Sequence, residues 1–149
     1  MKLILLGTGG YHPNDRRHTA CVMLPEIGLI FDAGTSFFRV PDRLKTDEVQ
    51  IVLSHAHLDH ICGLTFFLPT MLSGKVKSAT VHGDARTLDA VRGHLFSESV
   101  FPVFPDFDFC ELRKSLEVGG EGILTFVTQQ HPGGSLGFRI DWPGKSLAY

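Results

Sequence analysis

The apolar residues of the chain fall into short runs that are separated by turns rich in glycine, proline and aspartate. Runs of this length with many branched and aromatic side chains are typical of β-strands. They predict a protein built from many short strands. The predicted strands are residues 2–6, 20–24, 28–31, 49–53, 79–81, 123–128, 136–140 and 146–149, and the last two form a hairpin.

Two stretches carry the signals of helices instead. Residues 61–72 are predicted to form one helix. A second helix is predicted from Asp84, whose side chain suits the helix N-cap, to about residue 96. Its buried face carries the apolar residues at helical spacing, which are Leu88, Val91 and Leu95.

Length and composition are those of a globular protein with a core of its own. The 149 residues are 43% hydrophobic and 20% charged, which is enough apolar material for one domain. The formal charge of -2 gives no broad basic field. Binding of a long nucleic acid over a large surface is therefore doubtful, and a short substrate fits better.

The cytosol is the expected compartment. The chain enters its first strand without a cleavable signal, and no apolar run approaches the length that spans a membrane. Cys21, Cys62 and Cys110 are odd in number, far apart and without a Cys-x-x-Cys pair. They are predicted to be buried free thiols rather than a disulfide framework.

The sequence SHAHLDH at residues 54–60 brings three histidines and one carboxylate into the turn between a strand and a helix. His55 and His57 are two residues apart, so in an extended segment their imidazoles point to one side and can share an ion. Once the chain turns into a helix, Asp59 and His60 reach a neighbouring position. Two adjacent metal sites are predicted, and imidazole with carboxylate suits zinc, iron or manganese.

At this His-x-His-x-Asp-His motif the chain resembles the metallo-β-lactamase superfamily. The resemblance continues, in the order of the family, through MKLILLGTGG at 1–10, Asp-Ala-Gly at 32–34 and HPGGSLGFRI at 131–140. Within the superfamily the chain is most similar to ribonuclease Z and related phosphodiesterases. It shares their opening Leu-Gly-Thr-Gly and has Gly63-Leu64 after the motif.

The resemblance implies an α/β fold, in which two βαβ-rich halves pack as an αββα sandwich, and two zinc ions, with manganese or iron as alternatives. His131 would join His55 and His57 on the first metal. Asp59 and His60 would bind the second, and Asp59 would also serve as the catalytic residue in proton transfer.

The resemblance gives Asp32 a supporting role, in which its carboxylate holds a ligating histidine by the other ring nitrogen. The alternative is a turn or helix-cap residue ahead of residues 35–39.

The function implied is that of a metal-dependent hydrolase in which a metal-activated hydroxide attacks a phosphodiester. Hydrolysis of a thioester, a lactone or a lactam is the alternative within the superfamily. A further alternative is a catalytically incomplete fragment that oligomerises and binds at most one metal.

In the family, the last strand continues into an aspartate that bridges both metals, and a further histidine follows. No residue up to Tyr149 fits either role. Residues 1–149 are therefore expected to form a single, incomplete domain that holds the first half of the sandwich. The sheet face meant for the other half is expected to be apolar, exposed and covered by a second copy or a partner.

Three further features have open interpretations. Arg16 or Arg17 could bind an anionic substrate, since guanidinium groups match phosphate geometry, or could belong to a solvated loop. The phenylalanine-rich segment 96–109 could form a lid over the metal cleft, a dimer contact or ordinary edge packing. His82 and His94 are predicted to be structural or surface residues.

Overall fold

Two stacked β-sheets and one layer of short helices make up the computed structural model, which describes residues 1–149. The first sheet contains, in this order, β1 (Ile4–Gly7), β2 (Cys21–Leu24), β3 (Leu29–Phe31), β4 (Glu48–Val52), β5 (Ser78–Gly83) and β6 (Asp108–Glu111). The pairs from β1 to β3 are antiparallel, whereas the pairs from β3 to β6 are parallel.

The second sheet is wholly antiparallel. Its strands are β7 (Leu116–Val118), β8 (Gly122–Gln129), β9 (Ser135–Trp142) and β10 (Lys145–Ala148), and they lie in the order β10-β9-β8-β7. Every strand expected from the sequence is confirmed to within two residues at each end, including the β9–β10 hairpin. The short strands β6 and β7 were not expected, because prolines precede β6 and glycines follow β7.

The parallel strands bring distant residues to one edge of the first sheet. Asp32 follows β3, Ser54 and His55 follow β4, and Asp84 follows β5. The carboxyl ends of neighbouring parallel strands share an edge, and α/β proteins commonly place their ligand sites there. This edge is therefore where the predicted metal ligands have to be sought.

The apolar core has two parts, one on each side of the first sheet. Ile51 belongs to the part beneath the helices, together with Phe37 and Phe67. Val52, the next residue of β4, belongs to the part between the sheets, together with Phe138. This alternation follows from the period of two along a strand, and it produces helix, sheet and sheet layers in that order.

The helix expected at 61–72 is broken into three pieces, so that prediction is wrong in detail. A short α-helix, α1 (Leu58–Ile61), is followed by a 3-10 helix at Cys62–Phe67 and by α2 (Leu68–Leu72). The Gly63 N–H donates to the carbonyl of Ala33 at 2.7 Å. This contact pulls the chain out of α-helical register, and Pro69 then suits the first turn of α2.

Replacing Gly63 by alanine is expected to destabilise the fold by about 1–3 kcal/mol, the usual cost of overpacking. An added Cβ would lie 2.3 Å from the Gly34 carbonyl oxygen and 2.8 Å from that of Ala33. Urea denaturation measures the loss. Gly93→Ala is the control, because nothing lies within 4 Å of a Cβ there. Equal stability of the two variants would contradict the close approach.

The second predicted helix is confirmed in its start and in its buried face. It comprises α3 (Ala85–Ala90) and a π-helical turn at Val91–Leu95. The Thr87 N–H donates to the Asp84 side chain at 2.7 Å, so Asp84 is the N-cap. The π turn was not expected, and it ends with the Phe96 N–H donating to the Val91 carbonyl at 3.0 Å.

The phenylalanine-rich segment packs along the edge of the first sheet. Phe96 and Phe107 are buried in the core beneath the helices, and the Phe107 ring is stacked with that of Phe67 at 6.3 Å between centroids. Phe109 continues the segment into β6, the last strand of the sheet. These contacts support edge packing among the three interpretations.

The outward face of the second sheet is mixed rather than apolar. Ile123 and Val127 of β8 are 40% and 65% exposed. Thr125 lies between them, and β9 places the Arg139–Asp141 ion pair beside this row. The prediction of an apolar exposed face is therefore confirmed only for Ile123 and Val127, because polar side chains occupy other outward positions.

All three cysteines are free. Cys21 is buried and Cys62 half-buried, but Cys110 is exposed, so the prediction of buried thiols is wrong for Cys110. Cys110 lies on β6, an edge strand, which leaves it open to solvent. No helix combines the length with the apolar surface that a bilayer-spanning segment requires.

Candidate metal centre

Three imidazoles meet at the carboxyl edge of the first sheet. One ring nitrogen from each of His55, His57 and His131 lies within 4.8 Å of the others. His55 is buried, whereas His57 and His131 are exposed. The fold thus brings together three residues that the sequence separates by up to 76 positions, and they stand where solvent or a ligand has access.

His131 reaches the group through the turn between β8 and β9. Gly133 and Gly134 adopt positive φ angles of 86° and 82°, which favour glycine, and the Gly134 N–H donates to the His131 carbonyl at 2.8 Å. The Leu136 N–H then donates to the Ser54 carbonyl at 2.9 Å. That bond fastens the turn of the second sheet to the motif of the first.

Each of the three rings makes a polar contact through one of its nitrogen atoms. Ser54 Oγ lies 2.9 Å from His55 Nδ1, which leaves His55 Nε2 free. His131 Nε2 and His57 Nδ1 approach each other to 3.3 Å. The three rings therefore present nitrogen atoms to a common space.

Asp32 lies at the centre of a buried network behind these rings. It has no exposed surface. Its carboxylate accepts the Ser54 N–H at 2.7 Å, the Ser54 hydroxyl at 2.8 Å and the Tyr149 hydroxyl at 2.7 Å. His60 Nδ1 also lies 2.7 Å from its Oδ2. The helix-cap alternative for Asp32 is wrong, because Gly34 occupies the N-cap position of the helix at Thr35–Arg39.

Asp32 adopts a positive φ of 55°, in a region that aspartate enters more readily than most residues. Backbone positions of this kind cluster at functional sites. Burial raises the pKa of Tyr149, and the Asp32 charge and hydrogen bond add to the effect. Tyr149 therefore stays a neutral hydroxyl that donates to the carboxylate.

His60 and Asp59 form a second group next to the three imidazoles. The His60 ring lies 4.2 Å from the His55 ring, centroid to centroid. Because Asp32 contacts Nδ1 of His60, Nε2 is the nitrogen that faces Asp59, at 3.3 Å from Oδ2. Asp59 and Nε2 of His60 are the two potential metal ligands that come together here. The three-histidine group is the one place where three or more such side chains cluster.

Buried His55 and half-buried His60 have opposite pKa shifts. Burial, followed by repulsion from His60, lowers the pKa of His55 to about 4. Burial also lowers the pKa of His60, but the hydrogen bond and charge of Asp32 and the charge of Asp59 together raise it above its ordinary value. At neutral pH, His55 is therefore an unprotonated imidazole.

The metal-free protein is expected to lose stability as pH falls from about 6.5 towards 4. In that window His55 takes up a proton in the unfolded chain but not in the folded one. The raised pKa of His60 has the opposite effect on stability. The folded protein binds a proton on His60 more tightly than the unfolded chain does, so this group stabilises the fold at low pH. Its contribution is common to the wild type and to His55→Gln.

Urea denaturation of both proteins in chelator, at about pH 7 and about pH 5, isolates the His55 contribution. The acid-induced loss of unfolding free energy should be larger in the wild type. Equal losses would contradict the lowered pKa of His55.

The residues present fit a metal ion. Two ligands of a tetrahedral zinc ion at about 2.0–2.1 Å lie about 3.3 Å apart, and His57 Nδ1 and His131 Nε2 are separated by 3.3 Å. Three imidazoles form a donor set that suits zinc or iron. Three histidines with an open fourth position are also typical of catalytic rather than structural zinc.

An open cavity of about 840 Å³ lies against His55 and His57. The other lining residues come from the turn after β8 and from α3 with its π turn. No residue of the segment 96–109 lines the cavity, so the lid interpretation has no contact here to support it. The cavity gives a small ligand direct access to the imidazoles.

The family model described as beta-lactamase superfamily domain matches residues 29–149. The chain belongs to this superfamily. In this superfamily member the matched region contains the whole histidine group, Asp32 and the cavity wall formed by α3. Residues 1–28, which include the first two strands, lie outside it.

The superfamily member is similar to several proteins named ribonuclease Z or tRNase Z. Ribonuclease Z of Methanosarcina acetivorans is 28% identical over 148 residues, which cover 94% of this chain and 48% of the relative. tRNase Z TRZ1 of Arabidopsis thaliana is 31% identical over 110 residues, which cover 72% of this chain and 35% of the relative. The chain thus spans about half or less of these relatives.

A solved structure shows the same fold. Human tRNase Z, short form, superposes on this chain with a TM-score of 0.74 at 20% sequence identity. The superposed region covers 99% of this chain and 68% of the human protein's chain. The expected metallo-β-lactamase fold is confirmed for the superfamily member, and the chain accounts for about two thirds of that structure.

The anion-binding role of Arg16 and Arg17 stays a prediction. Both lie on an exposed loop, where their backbone N–H groups donate to Asn14 Oδ1 at 3.0 Å. Neither residue lines the cavity beside the histidines.

Sequence reasoning missed the cavity wall of the superfamily member that faces the histidines. His94 is exposed, as expected of a surface residue, but it lines the cavity together with Arg86 and Asp89. The available signal was helical spacing, because Arg86, Ala90 and His94 recur on the side of the helix opposite the buried Leu88.

Proposed function

We propose that the chain supplies the metal-binding part of a metal-dependent hydrolase that acts on phosphodiesters. The observation that carries the proposal is the 3.3 Å separation of His57 Nδ1 and His131 Nε2 beside the buried ring of His55, at the mouth of an open cavity. Three imidazoles rarely converge at an accessible edge without an ion to share.

His55, His57 and His131 are proposed to hold a divalent ion, with zinc as the first choice and manganese or iron as alternatives. Such an ion acts as a Lewis acid and activates water for attack on an ester. The protein's part is orientation. Ser54 fixes the ring of His55, and the turn at residues 131–134 delivers His131.

Asp59 and His60 are proposed to contribute to a second ion and to proton transfer. Asp32 contacts Nδ1 of His60 and thereby directs Nε2 towards Asp59. The half-buried Asp59 carboxylate stands at the edge of the histidine group, where Oδ2 can take up a proton from attacking water.

We propose that residues 1–149 form one domain and that further ligands of a second ion come from outside them. The support is that no third ligand atom joins Asp59 and Nε2 of His60 in a cluster of three or more, since Asp32 contacts the other ring nitrogen of His60. Zinc titration tests this proposal. One equivalent bound tightly by the monomeric protein is expected, and two equivalents bound by the monomer would overturn it.

Phosphodiesters are proposed as substrates because the relatives at 28–31% identity are ribonuclease Z and tRNase Z enzymes. The formal charge of -2 and the cavity of about 840 Å³ favour a short substrate over a long nucleic acid. The three free cysteines support a reducing compartment such as the cytosol.

A substrate panel tests this function. The protein, loaded with zinc or manganese, is offered bis(4-nitrophenyl) phosphate, a thioester, a lactone and a β-lactam, and a chelator-treated sample serves as the control. Metal-dependent turnover of the phosphodiester above the other three is the expected result. Preferred turnover of another ester would overturn the substrate class, and no turnover of any compound would overturn the activity of this chain.

A further inference from the structure

The wall of the cavity opposite the histidines carries charged groups that the proposed hydrolysis does not use. His55, His57, Gly133 and Gly134 line one side of the space of about 840 Å³. The other side is formed by α3 and the π turn that follows it. Its charged or titratable members are Arg86, Asp89 and His94.

Arg86 is a cation without an internal partner. It is exposed, and it takes part in none of the ion pairs or side-chain hydrogen bonds of the structure. Arg113 and Arg139, by contrast, are paired with carboxylates two residues away. The five N–H donors of the Arg86 guanidinium are therefore open to a ligand, and they match the oxygens of a phosphate.

The π turn helps to bring His94 to the same wall. A π turn takes up more residues than an α turn, and such turns occur frequently at functional sites. In an uninterrupted α-helix, position 94 would have drifted away from the face of Arg86 and Ala90, since eight residues exceed two turns. With the π turn at Val91–Leu95, all three residues line the cavity.

Asp89 limits what this wall can bind. Its exposed carboxylate shares the wall with Arg86, and no ion pair joins the two side chains. A broad polyanion would meet this negative charge, whereas one compact anionic group can be bound by Arg86 and His94 alone. The wall therefore fits a single phosphate better than a nucleic-acid backbone.

We propose that Arg86 and His94 form a binding subsite for one phosphate group of the substrate, and that this subsite selects phosphodiesters that carry a second phosphate close to the scissile one. The role of the subsite in substrate selection rests on the proposed function of the chain as a phosphodiester hydrolase. The subsite itself consists of side chains of this chain and requires no metal, so it can be tested separately.

The first test measures phosphate binding to chelator-treated protein by amide chemical shifts. Inorganic phosphate and diphosphate should shift the amides of residues 86–94 saturably. Arg86→Gln should weaken binding about tenfold, the usual effect of losing charge-assisted hydrogen bonds. Asp89→Asn should strengthen it, because a repulsive charge is removed.

The matched control is Arg92→Gln on the same helical segment. The Arg92 guanidinium lies over the Phe109 ring at 5.0 Å, and Arg92 does not line the cavity. Unchanged binding in this control is expected. Equal affinities of Arg86→Gln, Arg92→Gln and wild type, or shifts confined to other residues, would overturn the subsite.

The second test separates the subsite from the hydrolase. If the zinc-loaded protein hydrolyses phosphodiesters, Arg86→Gln should raise KM about tenfold for a substrate with an adjacent phosphate. It should raise KM for bis(4-nitrophenyl) phosphate, which has no second phosphate, by a clearly smaller factor. Saturable, Arg86-dependent phosphate binding without turnover would retain the subsite and reject the hydrolase, whereas turnover with no Arg86 effect would do the reverse.

Discussion

Replacing His57 by alanine is expected to lower kcat/KM for bis(4-nitrophenyl) phosphate in zinc by about 10³-fold, because a catalytic metal contributes several kcal/mol to a hydrolysis. His57 is exposed, and its Nδ1 faces His131 Nε2 at 3.3 Å. Two imidazoles hold an ion much more weakly than three. The fold should be retained, since the side chain contributes little to the core.

The matched control for this prediction is His12→Ala. His12 is exposed in the loop before β2, its ring contacts the neighbouring Pro13 carbonyl at 3.0 Å, and it does not line the cavity. Steady-state kinetics on both variants, with circular dichroism to verify folding, provides the comparison. Full activity of a folded His57→Ala protein, or equal losses in both variants, would contradict the assigned ligand set.

Replacing Asp32 by alanine is expected to cost about 3–5 kcal/mol of unfolding free energy, the usual effect of removing one partner from a buried charged pair. Its carboxylate is wholly buried and contacts Ser54, His60 and Tyr149. Alanine would leave the donors of these groups without an acceptor. It should also lower zinc affinity by about 10–100-fold, because His60 and Ser54 lose the group that orients them.

Urea denaturation measures the Asp32 effect, and Tyr149→Phe provides the graded control. That variant removes one of the hydroxyl donors to Asp32 and should cost only about 1 kcal/mol. Asp32→Asn should lie between the two, because it preserves the volume but not the charge. If Asp32→Ala lost less unfolding free energy than Tyr149→Phe, the network around Asp32 would contribute little to stability.

The part of the candidate site that lies in one short segment could be predicted from the spacing of its histidines in the sequence. His55 and His57 alternate along an extended segment, and His60 follows within the first helical turn, so their proximity follows from backbone geometry. His131 lies 74 residues from His57. Its position depends on the packing of one sheet on another, and only the family resemblance indicated it.

The departures from prediction arise where tertiary contacts override local signals. Residues 61–72 have helical spacing, but the approach of Gly63 to the Ala33 carbonyl interrupts the helix. The π turn before Phe96 leaves no periodic signal of its own, and helical spacing places Arg86 on the solvated side of the helix without indicating a cavity there. A solvated arginine and one that faces a cavity have the same pattern in sequence, so only the fold separates Arg86 from Arg16.

The most direct test of the three-histidine site is the zinc content per chain of wild-type protein and of His131→Ala, by elemental analysis after purification without chelator. About one zinc per chain in the wild type, lost in the variant, is the expected result for a site that this chain assembles alone. No zinc in the wild type, or equal content in both proteins, would contradict it.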